Sequence, residues 1–145
     1  MRYYFCVTSK KNWEIVKKEC IWAVSENRRG TLMSVKPKDK LVVYVSPKQL
    51  GGIFEVTSEP YEDRTRIFVS RRNPNELFPY RIRIKPLLLP KEPINFIPLI
   101  SKLSFIKRKK RWTVYLTRAM FEISEEDFKL IEKYFKKFEK KHFIE

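Results

Sequence analysis

Aromatic side chains interleaved with basic ones are what single-stranded or extruded bases require, because rings stack on base faces while Lys and Arg hold phosphates. Three stretches of this chain carry that combination. Trp22 stands between a lysine-bearing segment and the polar loop 25–30, which holds Arg28 and Arg29. Phe68 is flanked by Arg64, Arg66, Arg71 and Arg72. Lys107, Arg108, Lys109, Lys110 and Arg111 form the densest basic run, and Trp112 follows it directly as a further candidate for stacking. Each has a plainer reading. Trp22 serves equally as a core ring, Phe68 as an ordinary strand residue, Trp112 as a ring facing core or groove, and the basic run as a solvated loop.

The charge balance supports a polyanionic partner. Lys and Arg number 32 against 17 Asp and Glu, a net charge of +15 on 145 residues. An excess of that size favours nucleic acid, ahead of an acidic membrane surface. A Lys-rich surface tuned for solubility or high temperature is the alternative. With 43% hydrophobic and 14% aromatic residues, disorder is excluded.

Catalytic constellations are hard to build. The sole histidine is His142, near the chain end, and there is no GxSxG, HExxH, P-loop or GxGxxG pattern. Three glycines in all cannot form a phosphate-cradling loop. Cys6 and Cys20 sit in apolar runs without CxxC or CxxH spacing, so a reduced pair is expected and neither a structural zinc nor any other metal or cofactor. Glu55, Glu59, Glu62 and Asp63 are the one acidic group worth testing as Mg²⁺ ligands of a nucleic-acid hydrolase. Pro60 ends the strand beside Glu59, however, and pairing with Arg64 and Arg66 is the simpler use. A binding module is therefore preferred to an enzyme.

These residues need a frame. At 145 residues a single domain over 1–145 is expected, able to bury roughly 68–70% of its unfolded surface without a staple. The run 41–45, Leu-Val-Val-Tyr-Val, lacks polar alternation and reads as a strand covered on both faces. It pairs with 53–57 through a connector holding Ser46, Pro47, Gly51 and Gly52, which implies a small β-barrel or half-barrel. Residues 3–8 read as a first strand. An N-terminal helix follows, capped by Ser9 or Asn12, with Trp13, Val16 and Cys20 on its apolar face. A bridging strand covers 21–24, a helical turn 31–35, and strands 64–69 and 113–116. In 80–89, Ile82 and Ile84 alternate with Arg81, Arg83 and Lys85, one face in the core and one basic face in water. An amphipathic helix spans about 124–142, with Ser124 as N-cap, Asp127 as capping-box partner and Phe128, Ile131, Phe135 and Phe138 on its apolar face. No apolar run approaches roughly 18 residues, so no transmembrane helix is expected. A soluble, cytoplasmic protein is the expectation, with a monomer assumed.

Taken together, YYFCVTSKKNWE followed by IWAV, then KPKDKLVVYVS, GGIFEVTSEPYED, FPYRIRIKP and RWTVYL…AMFEISEEDF resemble the EVE domain, in order and spacing. The resemblance runs from about Arg2 to Phe128. It implies an α+β, PUA-like small mixed barrel of about five to six strands with flanking helices. It also implies kinship to YTH domains, which hold a methylated adenine in an aromatic cage, and hence a reader of a modified base in DNA or RNA. By this likeness Trp22 is the pocket ring, Thr8 and Ser9 hydrogen-bond the base, Asn12 is a polar pocket residue, and Phe68 falls where a second cage aromatic stands. Arg28, Arg29, Arg71, Arg72 and the run from Lys107 to Arg111 would hold the backbone. Two positions depart from the family pattern. Ala23 stands where Gly commonly follows the Trp, and Lys38 stands where Gly precedes Asp39, tolerable if residue 38 needs no positive φ. A PUA-like domain reading structured RNA by shape and phosphates, without base capture, is the first alternative. An adaptor docking an acidic protein is another.

Overall fold

The computed structural model describes residues 1–143, with side chains described through Phe138. The side chains of Lys140, Lys141 and His142 lie outside the described residues. In chain order the elements are β1 (Tyr3–Ser9), α1 (Lys10–Glu19), β2 (Ile21–Val24), α2 (Arg29–Met33), β3 (Lys40–Ser46), β4 (Gln49–Val56), β5 (Tyr61–Glu62), β6 (Tyr80–Leu88), β7 (Ile94–Asn95), β8 (Met120–Ile123) and α3 (Glu125–Phe143), with short 3₁₀ segments at Glu26–Arg28, Ile97–Leu99 and Lys109–Leu116. The strands hydrogen-bond in the order β2-β6-β4-β3-β1-β8, with β5 on β6 and β7 on β4. Among the described residues only β1 and β3 run parallel; the other pairs are antiparallel. The result is the mixed half-barrel with flanking helices, of α+β class.

The unbroken apolar character of β3 has a direct cause. Leu41, Val43 and Val45 point into an inner core fed by all six main strands, whereas Val42 and Tyr44 point into an outer one. The inner core holds Trp13 and Val16 of α1 beside Phe54 and Ile82. Phe128, Ile131 and Phe135 of α3 cover the outer core, each burial contributing about 1.5–3 kcal/mol. Ser124 Oγ accepts the Asp127 N–H at 3.1 Å, as an N-cap should. The Asp127 carboxylate does not return the bond; it accepts instead from the N–H and hydroxyl of Ser104 at 2.9 and 2.7 Å. Both cysteines are free thiols, and burial pushes Cys6 well above its ordinary pKa.

Several expectations are corrected. The β3–β4 turn consists of Pro47 and Lys48, while Gly51 and Gly52 lie inside β4. A Cβ on Gly51 would stand 2.6 Å from Cζ2 of Trp13, so the indole lies directly on the strand backbone. Residues 113–116 are not a strand but part of the 3₁₀ segment Lys109–Leu116; the last strand is β8. Residues 64–69 form no strand; the backbone of Thr65 is bonded by the Asp63 and Arg81 side chains and that of Val69 by Asn12. Lys38 does take a positive φ, 80°, in a Pro-containing turn closed by Asp39 N–H to Lys36 O at 3.1 Å, the arrangement of a type II turn. Beside it Asp39 is buried, accepting the Arg2 and Lys36 N–H groups at 2.9 and 3.0 Å.

Candidate nucleic-acid interface

β1 ends at Ser9, whose hydroxyl caps α1 by accepting the Asn12 N–H at 3.2 Å. That sharp strand-to-helix junction brings Thr8, Ser9 and Asn12 to one place. β2 runs antiparallel to β6, with Trp22 opposite Ile82 and Ala23 opposite Arg81. The irregular loop 63–79 then returns to lay Phe68 against Trp22, ring centroids 6.0 Å apart and inclined by 54°. Thr8, Ser9, Asn12, Trp22 and Phe68 all line one cleft of about 880 Å³. Ala23 lines it too.

Burial decides how these groups can act. Trp22 and Phe68 are each about 2% exposed, so Trp22 is a core ring that also borders the cleft. The Trp22 Nε1–H is buried without a hydrogen-bond partner. Asn12, 7% exposed, donates through Nδ2 to Val69 O and accepts the Val69 N–H at Oδ1, both at 2.9 Å. Its amide thus braces the loop that carries Phe68. One N–H and one lone pair of the amide remain for a ligand.

A second brace was not legible as such. Arg81, expected on the water face of β6, is 2% exposed. Its guanidinium donates to Phe78 O and Leu77 O at 2.9 and 3.0 Å, to Thr65 O, and to Thr65 Oγ1 at 3.3 Å, and stands 3.4 Å from Asp63. One side chain therefore ties together both ends of the loop. Asp63 is held below the ordinary aspartate pKa by hydrogen bonds from the Thr65 N–H and hydroxyl, with Arg81 adding a smaller effect. Phe78 follows the same design: it lines the cleft, meets Phe68 edge-on at 5.5 Å, and donates its N–H to the Glu76 carboxylate at 3.0 Å.

The remaining candidates divide. Arg71 lines the cleft, together with Lys10 and Lys11 from the first turn of α1, which the basic-run pattern did not single out. Arg28, Arg29 and Arg72 do not line it; Arg29 lies over the Tyr80 ring at 5.4 Å. Lys107, Arg108, Lys109, Lys110 and Arg111 are exposed beside the outer core, where the Lys109 ammonium donates to Leu103 O at 2.9 Å. Trp112 packs on Phe96 at 5.8 Å in that outer core and is not part of the cleft.

Of the four acids, Glu55, Glu62 and Asp63 are engaged in ion pairs. Glu55 stands 3.4 Å from Lys85 and Glu62 2.7 Å from Arg64, whereas Arg66 donates to Pro74 O rather than to an acid. Among the described residues no group of three His, Cys, Asp or Glu is placed to hold a metal ion, and no helix is long and apolar enough to cross a membrane.

Comparison with known proteins extends this geometry. The fold is similar to that of human THYN1 in complex with 5-methylcytosine-containing DNA, with a TM-score of 0.63 at 14% identity, covering 93% of this chain and 98% of that one. It is also similar to the YTH domain of Zygosaccharomyces rouxii MRB1 in complex with N6-methyladenosine RNA, with a TM-score of 0.61 at 20% identity, covering 92% and 86%. In sequence, UPF0310 protein PH1033 of Pyrococcus horikoshii is 46% identical over 144 residues, 92% of this chain and 98% of the relative. A UPF0310 protein of Bacillus licheniformis is 37% identical over 113 residues, 73% of this chain and 72% of the relative. The EVE domain model matches residues 2–134, every strand of the half-barrel and the first half of α3, and the chain belongs to the EVE domain family.

Proposed function

We propose that the protein is a nucleic-acid-binding module that takes one base, in modified form, into the cleft formed by Thr8, Ser9, Asn12, Trp22 and Phe68. The observation carrying this reading is their convergence: polar groups from the β1–α1 junction and rings from β2 and the 63–79 loop meet around one cleft. A fold shared with proteins solved on 5-methylcytosine DNA and N6-methyladenosine RNA supports the choice of ligand class. In this reading Ser9 and Thr8 offer hydroxyls to the base edge, and Asn12 adds its remaining N–H and lone pair. Arg71, Lys10 and Lys11 take the adjoining phosphates, and Arg28, Arg29, Arg72 and the run from Lys107 to Arg111 lie along the farther backbone. The role is binding rather than catalysis.

Affinity for matched oligonucleotides with and without a single modified base, measured across a salt series, tests the proposal. Base capture predicts a preference for one modification that persists as salt rises, because stacking and hydrogen bonding do not release counterions. Recognition by shape and phosphates predicts equal affinities that fall together, with a slope of roughly −0.7 to −0.9 per phosphate contacted. Equal affinities for every modified and unmodified oligonucleotide would remove base capture from consideration.

A further inference from the structure

The charges around the cleft say which kind of base it takes. Of the eighteen described residues that line it, none is Asp or Glu, while Lys10, Lys11 and Arg71 are cationic. The positive end of α1 adds to them, since Lys10 and Lys11 are in its first turn and no acid accompanies them there. Carboxylates nearby in sequence are occupied elsewhere. Glu14 pairs with Lys17 at 2.9 Å, Glu76 accepts the Phe78 N–H, and Asp63 is bound by Thr65 and Arg81. Glu26 is beside the Tyr80 hydroxyl, whose pKa it raises.

A methylated base can carry a positive charge or none, depending on which nitrogen or carbon bears the methyl. We propose, resting on the base-capture reading, that this cleft selects uncharged modified bases and rejects cationic ones. A cation entering it would meet three like charges on exposed side chains at its rim, with no carboxylate among the lining residues to neutralise it. The rings of Trp22 and Phe68, 6.0 Å apart and inclined by 54°, serve a neutral and a cationic base alike as stacking partners, so the charges around them decide between the two. The same cations favour the negatively charged phosphate that accompanies every base. The cleft thus draws in the backbone while discriminating against charge on the base.

Two pairs of isomers isolate charge from size. N6-methyladenine and 5-methylcytosine are neutral near pH 7, whereas 1-methyladenine and 3-methylcytosine, with the same added methyl, are cationic. Each is placed singly in an otherwise identical single-stranded oligonucleotide, beside unmodified controls. The expected result is that the neutral isomer of at least one pair binds about tenfold more tightly than its cationic partner. Introducing a carboxylate tests the cause. Ser70 lines the cleft, and its Oγ accepts the Asn73 N–H at 3.2 Å, an acceptor role that Ser70→Asp retains. Ser70→Asp should shift the ratio about three- to fivefold toward the cationic isomer, and Arg71→Gln should shift it the same way by less. Cationic isomers binding wild type as tightly as neutral ones overturn the inference and leave base capture standing. Wild-type preference for the neutral isomer with no shift in either variant overturns charge as the cause. Indifference to all four modifications removes capture of these methylated bases, and this inference with it.

Discussion

Asn12 and Val69 exchange two hydrogen bonds of 2.9 Å, the carboxamide of α1 treating the loop backbone as a strand would treat its neighbour. The pair joins residues 57 apart in sequence and fixes the residue next to Phe68. Asn12 therefore shapes the cleft wall.

Asn12→Ala should cost about 1–3 kcal/mol, two hydrogen bonds at the usual net value. The loss should be localised: hydrogen exchange at the Val69 amide accelerates while amides in β3 stay protected. Uniform acceleration across the sheet would show that the brace supports the whole fold instead of the loop.

Gly51→Ala should destabilise the protein by about 1–3 kcal/mol, because the added Cβ meets a buried indole at 2.6 Å rather than a flexible tip. Urea denaturation measures this directly. Combining it with Trp13→Leu should cost less than the sum of the single changes, since the two groups compete for one space. Strict additivity would contradict the contact.

Much of this architecture is legible in the sequence, and the exceptions have physical reasons. The apolar run of β3 and the 3.6-residue apolar face of α3 are visible because packing on a core repeats at the element's own period. Residues 113–116 have strand composition, Thr-Val-Tyr-Leu, yet form 3₁₀ turns that lay Tyr115 and Trp112 on the outer core. β8 is only four residues long, too short for alternation to announce it. Arg81 defeats the pattern most plainly. Alternation assigns it to water, but the loop above it offers the carbonyls of Thr65, Leu77 and Phe78, and these are what bury it. The convergence of Thr8, Ser9 and Asn12 with Trp22 came from the family resemblance, because sequence spacing does not reveal that β1 and β2 meet around one cleft. Lys10 and Lys11 are inconspicuous for a simpler reason: two lysines between Ser9 and Asn12 read as turn and cap, whereas they form the first turn of α1.

Lys38→Gly should stabilise the protein by about 0.5–1 kcal/mol, since a side chain at φ 80° is strained where glycine is not. The expected rise in melting temperature is about 1–4 °C. A fall would mean that the entropy lost by glycine outweighs the relief.

Acid should loosen the 63–79 loop through Asp63. Its pKa is depressed in the folded protein, so its contribution is present above the unfolded aspartate value and is lost as pH falls through the lower folded value. Below about pH 4 the melting temperature should drop less steeply in Asp63→Asn than in wild type. Parallel curves would contradict the role of the Thr65 hydrogen bonds.

The central claim rests on the Trp22 ring. At about 2% exposure its replacement by alanine would open a large cavity, so Trp22→Leu is the better probe, keeping apolar volume while removing the stacking face. The deciding measurement is the affinity of Trp22→Leu, verified as folded by circular dichroism, for the oligonucleotide whose modified base wild type prefers. Base capture predicts a loss of about 5- to 150-fold for that ligand, the worth of one stacked base, with affinity for the unmodified control and its salt slope retained. Unchanged affinity for the modified ligand would contradict the assignment of Trp22 and of the cleft around it.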